Sequence, residues 1–338
     1  MKNLLKFAAI FALISLIFTT GCKDDEPDID VDKGNIEVLK SYMVENDLDL
    51  PDLLNGWVIP PKMQADGGIV ADDYTIPGYH VFDIRSADEF NAGHIKGAMR
   101  VDLANVLDEA PNYADKPILV VCKTGQTAGR AVMALRLSGY PDAKVMKFGM
   151  SYWNETFDIW TAKCTDDAVG NPNWNMEASE ALPVNDLPAW EITATDGATI
   201  LAERVEAMLG NADWGINSDV VLAAPTDYSI YNFWSNDHYL EFGHYVGAYQ
   251  IKPISIANDV INAFPTSDEF MVYCYTGQTS SFTTAWLHVL GYNAKSIKFG
   301  VNSLSHTALE EYVDPETGNP LGGVWHHSHD YEYQANTK

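Results

Sequence analysis

A nine-residue stretch sets the plan of this chain by recurring almost unchanged. Val120-Val121-Cys122-Lys123-Thr124-Gly125-Gln126-Thr127-Ala128 returns as Val272-Tyr273-Cys274-Tyr275-Thr276-Gly277-Gln278-Thr279-Ser280. In each copy an apolar run that reads as a buried strand, Ile118 to Val121 and Phe270 to Tyr273, leads into the loop, and a segment with helical apolar spacing follows. The surroundings repeat as well. His80-Val81-Phe82-Asp83-Ile84-Arg85 alternates like a strand, Ser86 caps a short helix through Phe90, and Gly93-His94-Ile95-Lys96-Gly97-Ala98 is a glycine-bounded turn. Their counterparts are Ile230 to Trp234, Ser235, and Gly243-His244-Tyr245-Val246-Gly247-Ala248. Lys144 to Gly149 reads as a further strand, and its Lys147-Phe148-Gly149 recurs as Lys298-Phe299-Gly300. The offset is 152 between the two loop cysteines (274 minus 122), 150 between His94 and His244, and 149 between Asp83 and Asn232. A period this long, with small loop insertions, means tandem domains and not a solenoid.

A strand-loop-helix unit aims its backbone N–H groups and the positive end of the helix dipole at one small volume, and so stabilises an anion there. A thiolate is such an anion. Free cysteine titrates near about 8.5, and a helix N-terminus lowers that value, so Cys122 and Cys274 read as nucleophiles at working pH. The alternative is an inert core cysteine behind a buried strand; a Cys-x-Thr-Gly-Gln-Thr pattern present twice favours chemistry.

The chain opens with Lys2 and Lys6, an apolar run from Phe7 to Phe18, and Thr19-Thr20-Gly21-Cys22, the plan of a secretory signal. Small residues ending on a cysteine resemble a bacterial lipoprotein signal, with cleavage before an acylated Cys22, although Thr19 stands where such signals usually carry leucine. An ordinary signal peptide or an uncleaved anchor are the alternatives. The expected plan is a signal over 1–21, an acidic tether over 22–35, a first domain over 36–164, a linker over 165–190, a second domain over 191–312 and a tail over 313–338. The expected location is the cell envelope, lipid-anchored, with the outer membrane favoured. The formal charge of −26 becomes −28 once Lys2 and Lys6 leave with the signal, which excludes nucleic acid as a natural partner. With 46% hydrophobic residues in 338, the chain can bury two cores, and no second apolar run is long enough to span a bilayer. If Cys22 is acylated, three cysteines remain, and an odd number leaves at least one free thiol.

Asp83-Ile84-Arg85 with Glu89-Phe90, then Gly93 to Ala98, then a loop opening on cysteine, together resemble the rhodanese sulfurtransferases, particularly those with two rhodanese domains. The resemblance spans nearly all of the chain after the signal. It implies an α/β fold of two rhodanese-like domains, each a central parallel sheet with helices on both faces, with the cysteine at the carboxyl end of a strand. It implies sulfur transfer from a donor such as thiosulfate or mercaptopyruvate, through a cysteine persulfide, to a thiol or cyanide-like acceptor, with no cofactor. By the same resemblance Cys122 and Cys274 are catalytic. Lys123, Thr124, Gly125, Gln126 and Thr127 cradle the first sulfur, and Tyr275, Thr276, Gly277, Gln278 and Thr279 the second. Asp83 and Arg85 match a pair that ties a strand end to its neighbours, and His94 and His244 match a turn-fixing histidine. The second copy departs from the pattern with Asn232 for the acid and Trp234 for the arginine, so Cys122 is expected to carry most of the transfer. Lys123 favours an anionic donor.

Three competing readings differ in kind. A phosphatase uses a similar cysteine loop with arginine six positions on, but Ala128 and Ser280 stand there, leaving a phosphoryl group without its bidentate partner. A non-catalytic binding or redox-sensing module would keep the pockets without turnover. A metal site at Trp325-His326-His327-Ser328-His329-Asp330 competes with a solvated tail, which is the favoured reading. Cys164 has no counterpart in the second copy.

Overall fold

The computed structural model describes residues 31–190 and 193–336. The signal, Cys22 and the tether up to residue 30 lie outside the described residues. In the first half the elements are α1 (Val31–Glu45), α2 (Leu50–Leu53), β1 (Val58–Ile59), β2 (His80–Asp83), α3 (Ala87–Ala92), β3 (Met99–Arg100), α4 (Val106–Glu109), β4 (Ile118–Val121), α5 (Gln126–Leu137), β5 (Lys144–Met146) and α6 (Met150–Trp153). A short strand β6 (Trp174–Asn175) lies in the connection. The second half runs α7 (Gly197–Gly210), β7 (Gly215–Asn217), α8 (Ser218–Ala223), β8 (Ser229–Asn232), α9 (Asn236–Glu241), β9 (His244–Tyr245), β10 (Tyr249–Gln250), β11 (Phe270–Tyr273), α10 (Gln278–Val289), β12 (Ala294–Lys298) and α11 (His306–Glu311).

Two five-stranded parallel sheets result, ordered β1-β5-β4-β2-β3 and β7-β12-β11-β8-β10, so corresponding strands occupy corresponding places. Both central strands, Ile118–Val121 and Phe270–Tyr273, are wholly buried because helices and loops cover both sheet faces, which is why they read as unbroken apolar runs. Alternation along the first sheet sends Phe82 and Val120 inward and Val81, Leu119 and Val121 outward. The inner faces of both sheets share one core with α1, α5, α7 and α10. In that core α5 crosses α10 closely at Gly129, where a Cβ would come within 3.3 Å of the Phe282 backbone nitrogen.

Three local expectations change, and the connection, whose Trp174 and Trp190 hint in the sequence at partial packing, gains definite contacts. Helix α1 already begins at Val31, inside the stretch read as tether. The strand read over Lys144 to Gly149 ends at Met146, because Phe148 (φ 59°) and Gly149 (φ 60°) are left-handed and turn the chain. The connection over 165–190 packs in part: Trp174 pairs with Tyr245 in an antiparallel bridge, and Ala168 is buried. The C-terminal stretch read as a solvated tail instead folds back onto the first half. Trp325 is buried, Trp153 Nε1 donates to the Glu332 carbonyl (2.9 Å), and His94 pairs with Gln334 through their backbones. Buried aromatic area offsets the ordering of this segment. His326 reaches toward Glu310, His329 stacks on Tyr331 with the His327 ring edge-on beside it (6.4 Å), and no group of three or more potential metal ligands occurs among the described residues.

Candidate active site

Strand β4 ends at Val121, and the next four residues turn back on themselves because Gly125 takes the left-handed φ of 79° before α5 begins. That turn aims N–H groups at sulfur: Gly125 N donates to Cys122 Sγ at 3.1 Å and Ala128 N at 3.4 Å. The loop rests on the Lys147-Phe148-Gly149 turn. Met150 N donates to the Cys122 carbonyl (2.9 Å), and Ser151 N to that of Lys123 (3.0 Å). Gly149 is required there, since a Cβ would lie 2.3 Å from the Cys122 carbonyl oxygen. Trp160 Nε1 holds the Thr124 carbonyl at 3.3 Å.

The second loop is built alike. Gly277 has φ 72°, Ser280 N donates to Cys274 Sγ (3.3 Å), Val301 N holds the Cys274 carbonyl (3.1 Å), and Gly300 would place a Cβ 2.2 Å from that oxygen. Thr276 accepts from Gln278 N through Oγ1 at 3.2 Å, and Thr124 from Gln126 N at 3.5 Å; Thr127 and Thr279 are half-buried.

Gln126 and Gln278 keep their places in the two loops, but their side chains reach across to the opposite half. Gln126 Oε1 accepts from Phe299 N (2.9 Å), and Gln278 Oε1 accepts from Phe148 N (3.0 Å), so each loop's glutamine fixes the turn beneath the other loop. Between the two turns stands Trp160, edge-on to Phe148 (5.0 Å) and to Phe299 (4.9 Å). The exchange accompanies the packing of α5 on α10 in the shared core.

Around Cys122 the supporting groups are charged. Buried Arg85 donates to Asp83 through Nε (2.9 Å) and Nη2, and to the Gly93 carbonyl (2.7 Å), joining a strand end to the turn that follows α3. Lys123 is ion-paired with Glu89, which also closes the capping box of α3 with Ser86. His94 lies stacked on Phe90 with Nδ1 donating to the Phe90 carbonyl (2.8 Å), a turn-fixing arrangement. His244 stacks on Tyr239 and contacts the Glu177 carbonyl at 2.7 Å. The expectation of a lowered thiol pKa at Cys122 is overturned. Burial pushes it above the ordinary value, outweighing the N–H donors of Ala128, Thr124 and Gly125, and Asp83 adds to the rise. Lys123 does not offset this, because Glu89 neutralises it.

Around Cys274 the same places hold aromatic groups. Asn232 stands for Asp83, and its buried amide has no hydrogen-bond partner among the described residues. Trp234 stands for Arg85, His238 for Glu89 and Tyr275 for Lys123. Tyr275 stacks on Trp234 (4.8 Å, 13° between planes) and bonds through its hydroxyl to His238 Nδ1. The backbone of Gly323 lies against Tyr275, held by Asn302 Nδ2 on its carbonyl (2.8 Å), so the C-terminal stretch covers this loop. Lys147 is fixed by the Gly322 carbonyl, and burial lowers its ammonium to about 8.

Cys122 by contrast lines a cleft of about 330 Å³ with Arg85, Lys123, Ile159, Trp214, Lys298 and Phe299. Lys298 and Phe299, the first two residues of the second Lys-Phe-Gly copy, thus gain a place in the site; the recurrence of the triplet was the available signal. Glu89 already belonged to the motif that carries the family resemblance, whereas Trp160, Trp214 and His238 carried no comparable signal. Cys164 is half-buried beside that aromatic cluster, its thiol pushed up to about 12 by burial and by Asp158, Glu310 and Asp166.

Fold and loop define an α/β protein with a cysteine at the carboxyl end of a central parallel strand, where such sheets receive ligands. The rhodanese-like domain profile matches residues 69–156. Thiosulfate sulfurtransferase GlpE of Pseudomonas putida is 37% identical over 87 residues, covering 25% of this chain and 79% of that protein. The protein of the same name from Shewanella oneidensis is 35% identical over 78 residues, covering 22% and 75%. Among solved structures, a thiosulfate sulfurtransferase from Pseudomonas aeruginosa is similar over 88% of this chain and 49% of its own, at 13% identity and a TM-score of 0.27. The chain belongs to the rhodanese family.

Proposed function

We propose that this chain is a sulfurtransferase made of two rhodanese-like domains, in which Cys122 carries the transferred sulfur and the second half completes and supports its site. The observation that carries the reading is Cys122 Sγ facing two N–H donors at the base of an open cleft. With thiosulfate, the Cys122 thiolate attacks the outer sulfur, the S–S bond breaks, sulfite leaves, and the same total charge is left on sulfite and the persulfide. With mercaptopyruvate the broken bond is C–S and the leaving group is the pyruvate enolate, which takes a proton from water. The N–H groups then hold the persulfide anion, and a thiol or cyanide removes its outer sulfur. Ala128 in place of the phosphatase arginine argues against phosphoryl transfer.

Intact-mass measurement tests the reading. Incubation with thiosulfate or mercaptopyruvate should add one sulfur atom at Cys122, lost in Cys122→Ser and retained in Cys274→Ser. No added sulfur with either donor would overturn it. For the second half, Tyr275 stacked on Trp234 and the Gly323 backbone against Tyr275 cover the Cys274 loop and argue against turnover there. Lipid anchoring in the cell envelope through Cys22 belongs to the same proposal and rests on the sequence; unchanged detergent partitioning of Cys22→Ala would exclude it.

A further inference from the structure

One buried amide ties the C-terminal stretch to the second cysteine loop. Asn302, on the turn after β12, donates through Nδ2 to the Tyr275 carbonyl (2.7 Å) and to the Gly323 carbonyl (2.8 Å), and its Oδ1 accepts from Trp325 N (2.9 Å). The loop that opens on Cys274 and the stretch over 321–336 thus share one fully buried anchor. Lys147 of the first half adds a second hold by donating to the Gly322 carbonyl. The approach is this close because residue 323 is glycine. A Cβ there would lie 2.8 Å from the Tyr275 Cβ and 3.0 Å from its ring, so the backbone presses Tyr275 down onto Trp234.

Two residues further on, the same stretch reaches the support of the first loop. Trp325 is buried, lies over Trp160 (5.8 Å, 19° between planes), meets Phe148 edge-on at 5.3 Å, and donates through Nε1 to Thr161 Oγ1 (3.1 Å). Trp160 in turn holds the Thr124 carbonyl, and Phe148 belongs to the turn on which the Cys122 loop rests. In a close-packed interior a side chain keeps its place only while every face is in contact, so the Trp325 ring fixes both. Beyond it the stretch is fastened to the first half. Tyr331 N donates to the Trp153 carbonyl (3.1 Å), and Asn154 Nδ2 to the Tyr331 carbonyl (3.1 Å). Trp325 is therefore held from both sides along the chain, by Asn302 before it and by α6 with Asn154 after it.

We infer that residues 321–336 are a strap with two effects: Trp325 is a positioning residue for Cys122, acting through Trp160 and Phe148, and the Gly322-Gly323 backbone shuts the Cys274 loop by pinning Tyr275. The first effect, as a statement about rate, rests on the sulfurtransferase reading; the second does not. One segment thus supports the loop that works and closes the loop that does not.

The test uses the full chain, with thiosulfate as donor and cyanide as acceptor. Trp325→Ala should lower kcat about tenfold with KM within about twofold, because the sulfur is misplaced while the cleft is untouched, and Trp325→Phe, which keeps a ring on Trp160, should restore most of it. Amide exchange read by mass spectrometry gives a measure without turnover. Trp325→Ala should speed exchange in the 122–128 loop about tenfold and leave strand β4 unchanged, whereas a general loss of stability speeds both. The cover is tested in a chain carrying Cys22→Ser, Cys122→Ser and Cys164→Ser, where Cys274 is the one thiol left for iodoacetamide; adding Gly323→Ala should raise its alkylation rate about tenfold. Wild-type kcat in Trp325→Ala, exchange that rises equally in the loop and in β4, or unchanged Cys274 alkylation in Gly323→Ala would overturn the strap and leave the sulfurtransferase reading standing. No turnover by the wild type, with loop exchange still governed by Trp325 and Cys274 alkylation by Gly323, would sink the sulfurtransferase reading and uphold the strap.

Discussion

Replacing Gln278 by Met should impair the cysteine of the opposite half. The substitution keeps side-chain length and removes the acceptor of the Phe148 N–H, a bond of 3.0 Å between groups that are both buried. A buried donor left without a partner costs about 1–3 kcal/mol. At about 2–4 °C per kcal/mol for chains of roughly 150–250 residues, the melting temperature should fall by a few degrees. The functional effect follows from what Phe148 supports. It precedes Gly149 and Met150, whose backbone forms the floor of the Cys122 loop, with Met150 N on the Cys122 carbonyl at 2.9 Å. Displacing a reacting group by an ångström can cost on the order of a hundredfold in rate. We expect the rate of persulfide formation at Cys122 to drop about tenfold or more in a Cys274→Ser background, where only one loop can report. Stability lost with an unchanged persulfide rate would show that Gln278 merely staples the halves. Unchanged stability and rate together would refute the exchanged hydrogen bond itself.

Asp83→Asn, which gives the first half the residue of the second, strands the buried Arg85 guanidinium and should destabilise by about 3–5 kcal/mol, read from the denaturant midpoint. Because burial raises the Cys122 thiol above its ordinary value, the thiolate fraction at neutral pH is small, and persulfide formation should climb with pH through 7 and 8 without levelling off there. A plateau below pH 8 would show that the N–H donors outweigh burial. Gly149→Ala should cost on the order of 1–3 kcal/mol from its left-handed φ and remove most Cys122 activity, since its Cβ would meet the loop carbonyl at 2.3 Å; intact activity would contradict the loop geometry. Hydrolysis of an aryl phosphate should be negligible, and turnover abolished by Cys122→Ser would reverse that assignment.

The sequence alone determined what depends on neighbours along the chain. Strand, left-handed glycine and helix succeed one another within a dozen residues, so the cysteine loops and their duplication were legible from periodicity and spacing, while the parallel α/β fold followed from the family resemblance that those motifs carry. The Asp83-Arg85 pair, its members two residues apart, was expected through the same resemblance. What the loops face was decided only by tertiary structure. Gln126 and Gln278 lie within the local motif, yet their partners are 173 and 130 residues away, reached because α5 packs on α10. The covering of Cys274 required the C-terminal stretch to return, and the wall of the Cys122 cleft required a lysine from the other half. The thiol pKa turned on the same cause. A helix N-terminus can be read from a sequence and predicts a lowered value; burial comes from the whole fold around the sulfur, and here it outweighs the loop's own donors.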